Sequence, residues 1–235
     1  MIFIECQQGS EEWLAARAGA ITASCYREAI EVLSRASGSR KPGDPSGASE
    51  RYAADLAIER ISEKPHGAPI KAWVLDRGHE MESLARIAYE VRTGYLAEES
   101  GLVLTDDRKF GYSTDGMPED GLIEIKAPID SQKILDMWET GDVSEYIHQM
   151  QGGMWITGRR WCDFIMYVPE LESVGKDLFI KRIMRDDYFI DDMVERLLDF
   201  DRRVERLVGI LKRPIGALEP ITKPEPCLAL EAIDF

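Results

Sequence analysis

Asp115, Glu124 and Lys126 have the side-chain types and the spacing for chemistry on a phosphate. Two carboxylates are hard oxygen ligands that suit a hydrated Mg²⁺ held together with a phosphate. The backbone carbonyl of Ile125 points sideways from the chain and is a candidate third ligand. Such a cation polarises phosphorus and acidifies a water molecule. The Lys126 amine could then position that water, accept its proton or neutralise charge in the transition state.

Two predicted strands must bring these groups together. Residues 110–114 form an extended-looking run, and residues 122–126 alternate apolar and charged side chains. Alternation is strand spacing, so Glu124 and Lys126 point to one face. The glycines and the proline between the two runs predict a turn, and a hairpin would bring Asp115 beside the other two groups. The alternative is a solvated surface hairpin, because the pattern D-x8-E-x-K is common by itself.

The remaining patterns predict a mixed α/β fold, in which one central mixed β-sheet is flanked by helices. Helices are predicted from an N-cap at Ser10 to Gly19, from residue 22 or 24 to 33, over 50–62 with Ser49 as N-cap, and over 71–92, 131–138, 143–155 and 186–211. Strands are predicted at residues 1–7, 102–105, 110–114, 122–126, 162–168 and 178–184. Met193, Leu197, Leu198, Val204 and Leu207 form an apolar stripe on the last helix.

Four motifs occur in an order that resembles one family. They are Trp13 to Arg17 with residues 21–24, Arg77-Gly78 with Glu82, Asp115 with residues 124–128, and residues 146–155. The third motif resembles the core of the PD-(D/E)xK nuclease superfamily, although Thr114 stands where a proline is usual. More narrowly, the set resembles the family of phage lambda exonuclease and the YqaJ-type viral recombinases. This resemblance covers about residues 8–160 and implies the restriction-endonuclease-like core of the superfamily.

The resemblance implies roles for further side chains. Glu82 and Gln149 would lie in the active site with the metal ligands. Arg17, Ser24 and Ser113 would hold the 5′-phosphate of a DNA end, and a planar guanidinium suits phosphate oxygens. Plainer readings stay open, since Arg17 could be a solvated or ion-paired helix residue, Ser24 a helix cap and Gln149 a solvated side chain.

Two other segments are implied to touch DNA. Leu75 matches a wedge that parts the terminal base pairs, and ordinary helix packing is the alternative. Residues 36–48, rich in Ser, Gly and Pro, predict a mobile loop that would form part of an arch over the DNA. Arg35 or Arg40 would contact the substrate there, and the sequence does not choose between them. The alternative is a solvated linker.

The charge of the chain opposes a DNA-binding role. The 43 acidic and 29 basic residues give a net charge of −14, whereas phosphate binding normally uses Lys and Arg. We reconcile the two with basic groups that line a narrow channel inside an acidic exterior. The motivating cluster in the N-terminal part consists of Arg17, Arg27, Arg35, Arg40 and Lys41.

Length and composition predict one nuclease domain over residues 1–212, with a proline-containing tail at 213–235. No apolar run reaches the length of a membrane span, and the N-terminus lacks the features of a secretory signal. The scattered cysteines predict buried or free thiols in a reducing cytoplasm. We therefore expect a cytoplasmic protein without a membrane partner.

The resemblance implies a Mg²⁺-dependent 5′→3′ exonuclease on linear double-stranded DNA, with Mn²⁺ as a substitute ion. It would release mononucleotides and leave 3′ overhangs for recombination by strand annealing. A ring-shaped homotrimer, a single-strand annealing protein as partner, and a phage or prophage setting in a bacterial host are implied too. The alternatives are a structure-specific or restriction-type endonuclease, or a catalytically silent DNA-binding protein. A small-molecule metallohydrolase is disfavoured because no histidine-rich cluster occurs.

Overall fold

The computed structural model describes residues 1–67 and 72–214, with only the backbone for residues 72–79. The helices of this part are α1 (Glu11–Arg17), α2 (Tyr26–Ala29), α3 (Gly47–Ser62), α4 (Ala72–Thr93), α5 (Ser131–Thr140), α6 (Ile147–Thr157) and α7 (Asp187–Leu211). The strands are β1 (Ile2–Ile4), β2 (Ile21–Thr22), β3 (Leu102–Leu104), β4 (Phe110–Ser113), β5 (Gly121–Lys126), β6 (Trp161–Tyr167) and β7 (Leu178–Met184). The predicted α/β class is confirmed. The predicted boundary at residue 212 stays a prediction, because residues 215–235 lie outside the described part.

The strands form two mixed sheets instead of one central sheet. The first sheet has the order β1-β3-β4-β2, in which only the β2–β4 pair is parallel. The second has the order β5-β6-β7, with β5 parallel to β6 and β6 antiparallel to β7. The fold class was therefore correct, while the number of sheets was not.

The predicted hairpin between β4 and β5 is reduced to a single bridge, between Gly116 and Ile123. Along its whole length β5 pairs with β6 instead. The reason is burial, because five of the six β5 residues are buried and the strand needs cover on both faces. Parallel pairing with β6 places β5 in a sheet that helices cover on both faces. The predicted hairpin partner of β5 is therefore wrong.

Two helices cover the second sheet. On one face, Tyr89 of α4 and Ile123 of β5 belong to the same buried cluster. On the other face, Met150 of α6 and Leu122 of β5 belong to the largest core cluster. Since strand side chains alternate, Glu124 lies on the same face as Leu122, toward α6.

Two glycines let α6 lie close to its neighbours. A Cβ atom added at Gly152 would come within 2.5 Å of the Tyr26 ring. One added at Gly153 would come within 2.7 Å of the Tyr112 ring. No side chain fits at either position without movement, so the close approach of α6 depends on this glycine pair.

In the N-terminal part of the chain, some helix ends differ from the predicted ones. The Ser10 N-cap is confirmed, but α2 ends at Ala29 rather than at residue 33. At that end of α2, the Arg196 side chain donates to the carbonyl of the buried Ile30 at 2.8 Å. The N-cap of α3 is Ser46, not Ser49, whose hydroxyl donates to the carbonyl of Ala29 at 2.6 Å.

The last helix, α7, closes the core with one face. Met193, Leu197 and Val204 are buried as the stripe predicted, but Leu198 is exposed because it falls outside that face. Among the described helices, none combines the length and the apolar content that crossing a bilayer requires.

Candidate active site

Asp115 lies just past the end of β4, where the chain bends away from the first sheet. It is 8% exposed, and its carboxylate accepts a 2.7 Å hydrogen bond from the backbone N–H of Ile125. β5 is an edge strand, and the Ile125 amide lies on the edge that is not paired with β6. The Asp115 carboxylate therefore accepts the hydrogen bond that a neighbouring strand would otherwise accept. The N–H and C=O of a strand residue point to the same edge. The Ile125 carbonyl, the expected third ligand, is therefore on the side of Asp115.

Glu124 is almost fully enclosed, at 1% exposed. The Lys126 ammonium donates to its Oε1 atom at 2.6 Å, and the Tyr112 hydroxyl donates to its Oε2 atom at 3.4 Å. The predicted common face of Glu124 and Lys126 is confirmed by this contact. The pKa of Glu124 is raised to about 7, because burial and the charges of Asp115 and Glu82 together outweigh the opposing effect of Lys126.

Lys126 carries a positive charge at neutral pH. Burial alone would lower its pKa, but the carboxylates of Glu124 and Asp115 raise the pKa above the ordinary lysine value. The ring of Tyr146 faces the ammonium at 5.6 Å and is stacked on Phe164 at 4.9 Å. A protonated amine suits the positioning of water or the neutralisation of charge better than the acceptance of a proton.

Glu82 joins this group from α4. The pKa of Glu82 is raised to about 7, because burial and the nearby Asp115 carboxylate together outweigh the opposing effects of Lys126 and Arg86. The pKa of Glu124 responds to Glu82 as well. The structure thus brings Glu82 into electrostatic contact with the acids of the two strands.

The donor set fits a hard divalent cation of the Mg²⁺ type. Such an ion binds through one or two carboxylates together with substrate phosphate oxygens. Asp115 and Glu124 supply two carboxylates, and Ile125 adds a carbonyl. Positive charge would also relieve the repulsion that raises the pKa of Glu82 and Glu124. In residues 1–67 and 80–214, no three His, Cys, Asp or Glu side chains surround one metal position.

Gln149 lies on the first turn of α6 and is half-buried. It follows by three positions Tyr146, the N-cap residue of α6, whose ring faces the Lys126 ammonium. The place of Gln149 in the active site stays a prediction. Gln151 serves the fold instead, because its side chain donates to the carbonyl of Met184 at 2.9 Å and accepts from the N–H of Asp186 at 3.0 Å.

The three residues expected to bind a 5′-phosphate are connected by two intermediates. Arg17 donates to the Thr22 hydroxyl at 3.0 Å, and that oxygen lies 3.5 Å from the Ser24 hydroxyl. The guanidinium also lies over the Trp13 ring at 4.3 Å, and the Trp13 indole N–H donates to the Ser113 hydroxyl at 2.8 Å. Trp13, Arg17, Thr22, Ser24 and Ser113 thus form one connected set of contacts. We call these five residues the end pocket.

Trp13 belongs to the first motif, and residue 22 is one of the two predicted starts of the second helix. Trp13 is buried, and it also orients Arg17 and Ser113. A signal was available for the first contact, because Trp13 and Arg17 are four apart on a helix and such pairs meet. No local pattern indicated the second contact.

The model of the YqaJ-like viral recombinase domain matches residues 12–160 of this sequence. That match spans more than half of the chain. The chain belongs to the YqaJ-like viral recombinase family. A search of curated proteins found no match.

Solved structures agree with the membership of this YqaJ-like chain. The alkaline exonuclease LHK-Exo from Laribacter hongkongensis is 33% identical, with a TM-score of 0.73, over 86% of this chain and 96% of that chain. Its complex with dAMP has the same identity and coverage and a TM-score of 0.74. A phage-related exonuclease from Haemophilus somnus 129PT, 16% identical over 82% of this chain and 96% of that chain, shares the fold at a TM-score of 0.63. The predicted PD-(D/E)xK core is confirmed by the LHK-Exo match.

The residues expected to touch DNA outside the pocket remain predictions for this YqaJ-like chain. Arg35 is exposed, and Arg40 pairs with Glu50 at 2.9 Å. Their segment is folded back on itself, because the N–H groups of Leu33 and Gly43 bond across it. The side chain of Leu75, the expected wedge, lies outside the described part of the chain.

A half-buried ion pair that the sequence patterns did not indicate holds α4 against the second sheet. Asp163 of β6, 2% exposed, accepts two hydrogen bonds of 2.8 Å from Arg182 of β7. The Tyr89 hydroxyl of α4 donates to the same carboxylate at 2.8 Å, and Trp161 lies 3.6 Å under the guanidinium. Because α4 also carries Glu82, this network fixes the helix that brings the third acid to the site.

Proposed function

We propose that this YqaJ-like protein is a Mg²⁺-dependent 5′→3′ exonuclease that degrades one strand of linear double-stranded DNA. It releases mononucleotides and leaves a 3′ single-stranded overhang. One observation carries the proposal, namely that the end pocket adjoins the acidic site. Ser113 and Asp115 are two positions apart, so their Cα atoms lie within about 7 Å of each other. A 5′-phosphate bound in the pocket therefore brings the next phosphodiester beside the acids.

The end pocket supplies recognition of the 5′ end. The Arg17 guanidinium presents several donors to phosphate oxygens, and the hydroxyls of Ser24 and Ser113 add two more. Trp13 and Thr22 hold the guanidinium in place before the substrate arrives. An arginine that is already oriented loses less side-chain freedom on binding.

The acidic site supplies the hydrolysis. Asp115, Glu124 and the carbonyl of Ile125 would hold Mg²⁺, and Mn²⁺ suits the same oxygen ligands. When bound, the ion supplies Lewis acidity to the phosphodiester and lowers the pKa of water. Lys126 orients the attacking water and offsets negative charge on the phosphate, and Glu82 and Gln149 complete the polar lining.

The relatives support this proposal. LHK-Exo, at 33% identity, is an alkaline exonuclease, and its complex holds dAMP, a deoxynucleoside monophosphate. A mononucleotide is the product that the short distance from pocket to acids favours. The YqaJ-like match adds a recombination setting, in which a 3′ overhang is the substrate for strand annealing.

The proposal includes the assembly and the setting that the resemblance implies. The enzyme forms a homotrimeric ring around DNA, delivers the overhang to a single-strand annealing protein, and acts in the cytoplasm of a phage-infected or prophage-carrying bacterium. The measurement for the ring is the mass in solution, which is expected to be three times the 26.6 kDa of one chain. A monomer mass on DNA would contradict it.

One assay tests the activity. Purified protein with Mg²⁺ receives three DNAs: a 5′-phosphorylated linear duplex, a 5′-hydroxyl linear duplex and a closed circle. We expect mononucleotides from the linear forms only, released faster when the 5′-phosphate is present. An Asp115→Asn preparation controls for contaminating nuclease. Cutting of the circle would instead identify an endonuclease, and binding without cleavage of any DNA a silent binding protein.

A further inference from the structure

We propose that Arg27, His148 and Arg196 form a second phosphate subsite, which binds the backbone of duplex DNA beside the end pocket. The inference rests on the proposed function, because its ligand is the DNA substrate. None of the three residues has a part in the hydrolysis described above. They come from three helices, α2, α6 and α7.

The packing of these helices brings the three side chains together. Arg196 of α7 reaches α2, where it donates to the carbonyl of Ile30 at 2.8 Å. His148 of α6 meets Phe189 of α7 edge to face, with ring centroids 5.1 Å apart. Phe189 and Arg196 are seven positions apart, which is about two helical turns, so they lie on one side of α7. Arg27 stands on α2, three positions before Ile30.

The charges of this group are poorly balanced. Burial lowers the pKa of His148, and the guanidinium groups of Arg196 and Arg27 lower it further, against the opposing effect of Asp192. Asp192 pairs with Arg196 at 3.6 Å, but Arg27 is exposed and has no hydrogen bond or ion pair to any described residue. The buried Nδ1 atom of His148 likewise has no hydrogen-bond partner among them.

An anion explains this arrangement. Positive groups that lie close together repel one another. The net charge of −14 means that acids are abundant in this chain, but no described acid pairs with Arg27. The position favours DNA as the anion, because Arg27 follows Ser24 of the end pocket by three residues and His148 precedes Gln149. A duplex whose 5′ end occupies the pocket presents a further phosphate on the same strand or on its partner.

The experiment compares Arg27→Gln with two controls, in duplex binding measured with EDTA so that no strand is cut. Arg92→Gln changes the charge equally, but Arg92 lies ten positions beyond Glu82 on α4 and pairs with Asp177. Glu28→Gln removes an exposed acid next to Arg27. We expect Arg27→Gln to weaken binding several-fold and to reduce the slope of log K against log salt by about 1. Arg92→Gln should match the wild type, and Glu28→Gln should bind more tightly.

The 5′ end of the probe separates the subsite from the end pocket. Arg27→Gln should weaken binding of 5′-phosphorylated and 5′-hydroxyl duplexes by the same factor, whereas loss of the end pocket affects only the first. Unchanged affinity and salt slope in Arg27→Gln would overturn the subsite, as would an equal loss in Arg92→Gln. If the wild type degrades no linear DNA and binds none, the proposed function fails and this inference fails with it.

Discussion

Asp115 combines a structural hydrogen bond with a position among like charges. Its carboxylate bonds to the Ile125 amide and interacts with Glu82 and Glu124. Asn at this position can still accept the amide hydrogen bond but carries no negative charge. The two functions of the side chain can therefore be separated by one substitution.

We expect Asp115→Asn to fold normally and to lose at least about 1,000-fold in the rate of nucleotide release. Metal-assisted stabilisation amounts to several kcal/mol, and about 1.4 kcal/mol corresponds to a factor of ten. The measurement is acid-soluble nucleotide released from a 5′-phosphorylated duplex in Mg²⁺. Glu139→Gln, at an exposed position on α5, is the matched control and should retain full activity. A nearly active Asp115→Asn enzyme would remove Asp115 from the metal site.

Arg17→Ala should abolish the preference for a phosphorylated 5′ end. A hydrogen bond to a charged group contributes about 1.5–3 kcal/mol, so the preference should fall by roughly tenfold to a hundredfold. The measurement is the ratio of kcat/KM for phosphorylated and hydroxyl ends. Thr22→Val, which removes the hydroxyl that holds Arg17, should lower the same ratio by less. If both variants keep the wild-type ratio, the end pocket does not read the phosphate.

Single residues were predictable where the signal was local. Asp115, Glu124 and Lys126 lie within twelve positions, and strand alternation alone placed Glu124 and Lys126 on one face. The hydrogen bond from Trp13 to Ser113 joins residues 100 positions apart. No periodicity encodes such a contact, because it depends on how α1 packs on the first sheet. The resemblance, not the spacing, brought Glu82, Gln149 and the end pocket into the prediction.

At the scale of elements, the glycine pair of α6 sets how closely the helix approaches the sheets. A Cβ atom at Gly153 would enter the Tyr112 ring, whose hydroxyl bonds to Glu124. Movement of α6 would also displace Gln149, one turn earlier. The helix thus links core packing to the acidic site.

Gly153→Ala is expected to lower the free energy of unfolding by about 1–3 kcal/mol, because the added methyl overpacks the core. Denaturant unfolding measures the change. Gly209→Ala on α7 is the matched control, since nothing lies within 4 Å of its added Cβ. Alanine there should stabilise the helix by about 0.5–1 kcal/mol. Equal effects of the two substitutions would show that the packing around Gly153 accommodates a methyl group.

Most elements followed from the sequence, while their pairing did not. The predicted strand at residues 122–126 exists, but its partner is β6, about 40 positions later, and not the preceding strand. Sequence neighbours favour a hairpin, and burial on both faces overrides that preference. The N-cap of α3 did not follow from the local sequence either. Ser46 and Ser49 are both suitable N-cap residues, and only the buried hydrogen bond from Ser49 to Ala29 decides between them.

At the scale of the whole molecule, the acidic site makes stability depend on pH. The pKa values of Glu82 and Glu124 are raised to about 7, above the value of about 4.3 for an unfolded chain. The folded state therefore binds protons more tightly than the unfolded state. The contribution of these groups to stability is complete below about pH 4 and is lost as the pH rises through about 7.

In EDTA, the melting temperature should fall between about pH 5.5 and pH 8.5. Addition of Mg²⁺ should raise it most at the alkaline end, where both acids are ionised and bind the cation. Thermal unfolding across this range, with and without the ion, is the measurement. Glu82→Gln should flatten the curve obtained in EDTA. A melting temperature that rises steadily toward pH 8.5 in EDTA would show that other groups dominate.

The net charge of −14 gives the whole molecule a field that repels DNA, so affinity must come from local groups. The end pocket and the subsite of Arg27, His148 and Arg196 are two such groups on neighbouring elements. Screening by salt weakens attraction and repulsion alike. Binding should still weaken as salt increases, because the contacts with phosphate release counterions.

The strand that precedes Asp115 and the strand of Glu124 belong to different sheets. Beside the acids, the sheets are linked by the bridge from Gly116 to Ile123 and by the hydrogen bonds from Ile125 to Asp115 and from Tyr112 to Glu124. A cation bound by both Asp115 and Glu124 would link the two sheets at this boundary. Local opening between the two sheets would then be less frequent when the ion is bound, and amide hydrogen exchange at Ile123 and Ile125 would be slower. Loading the enzyme would in this way also stiffen it.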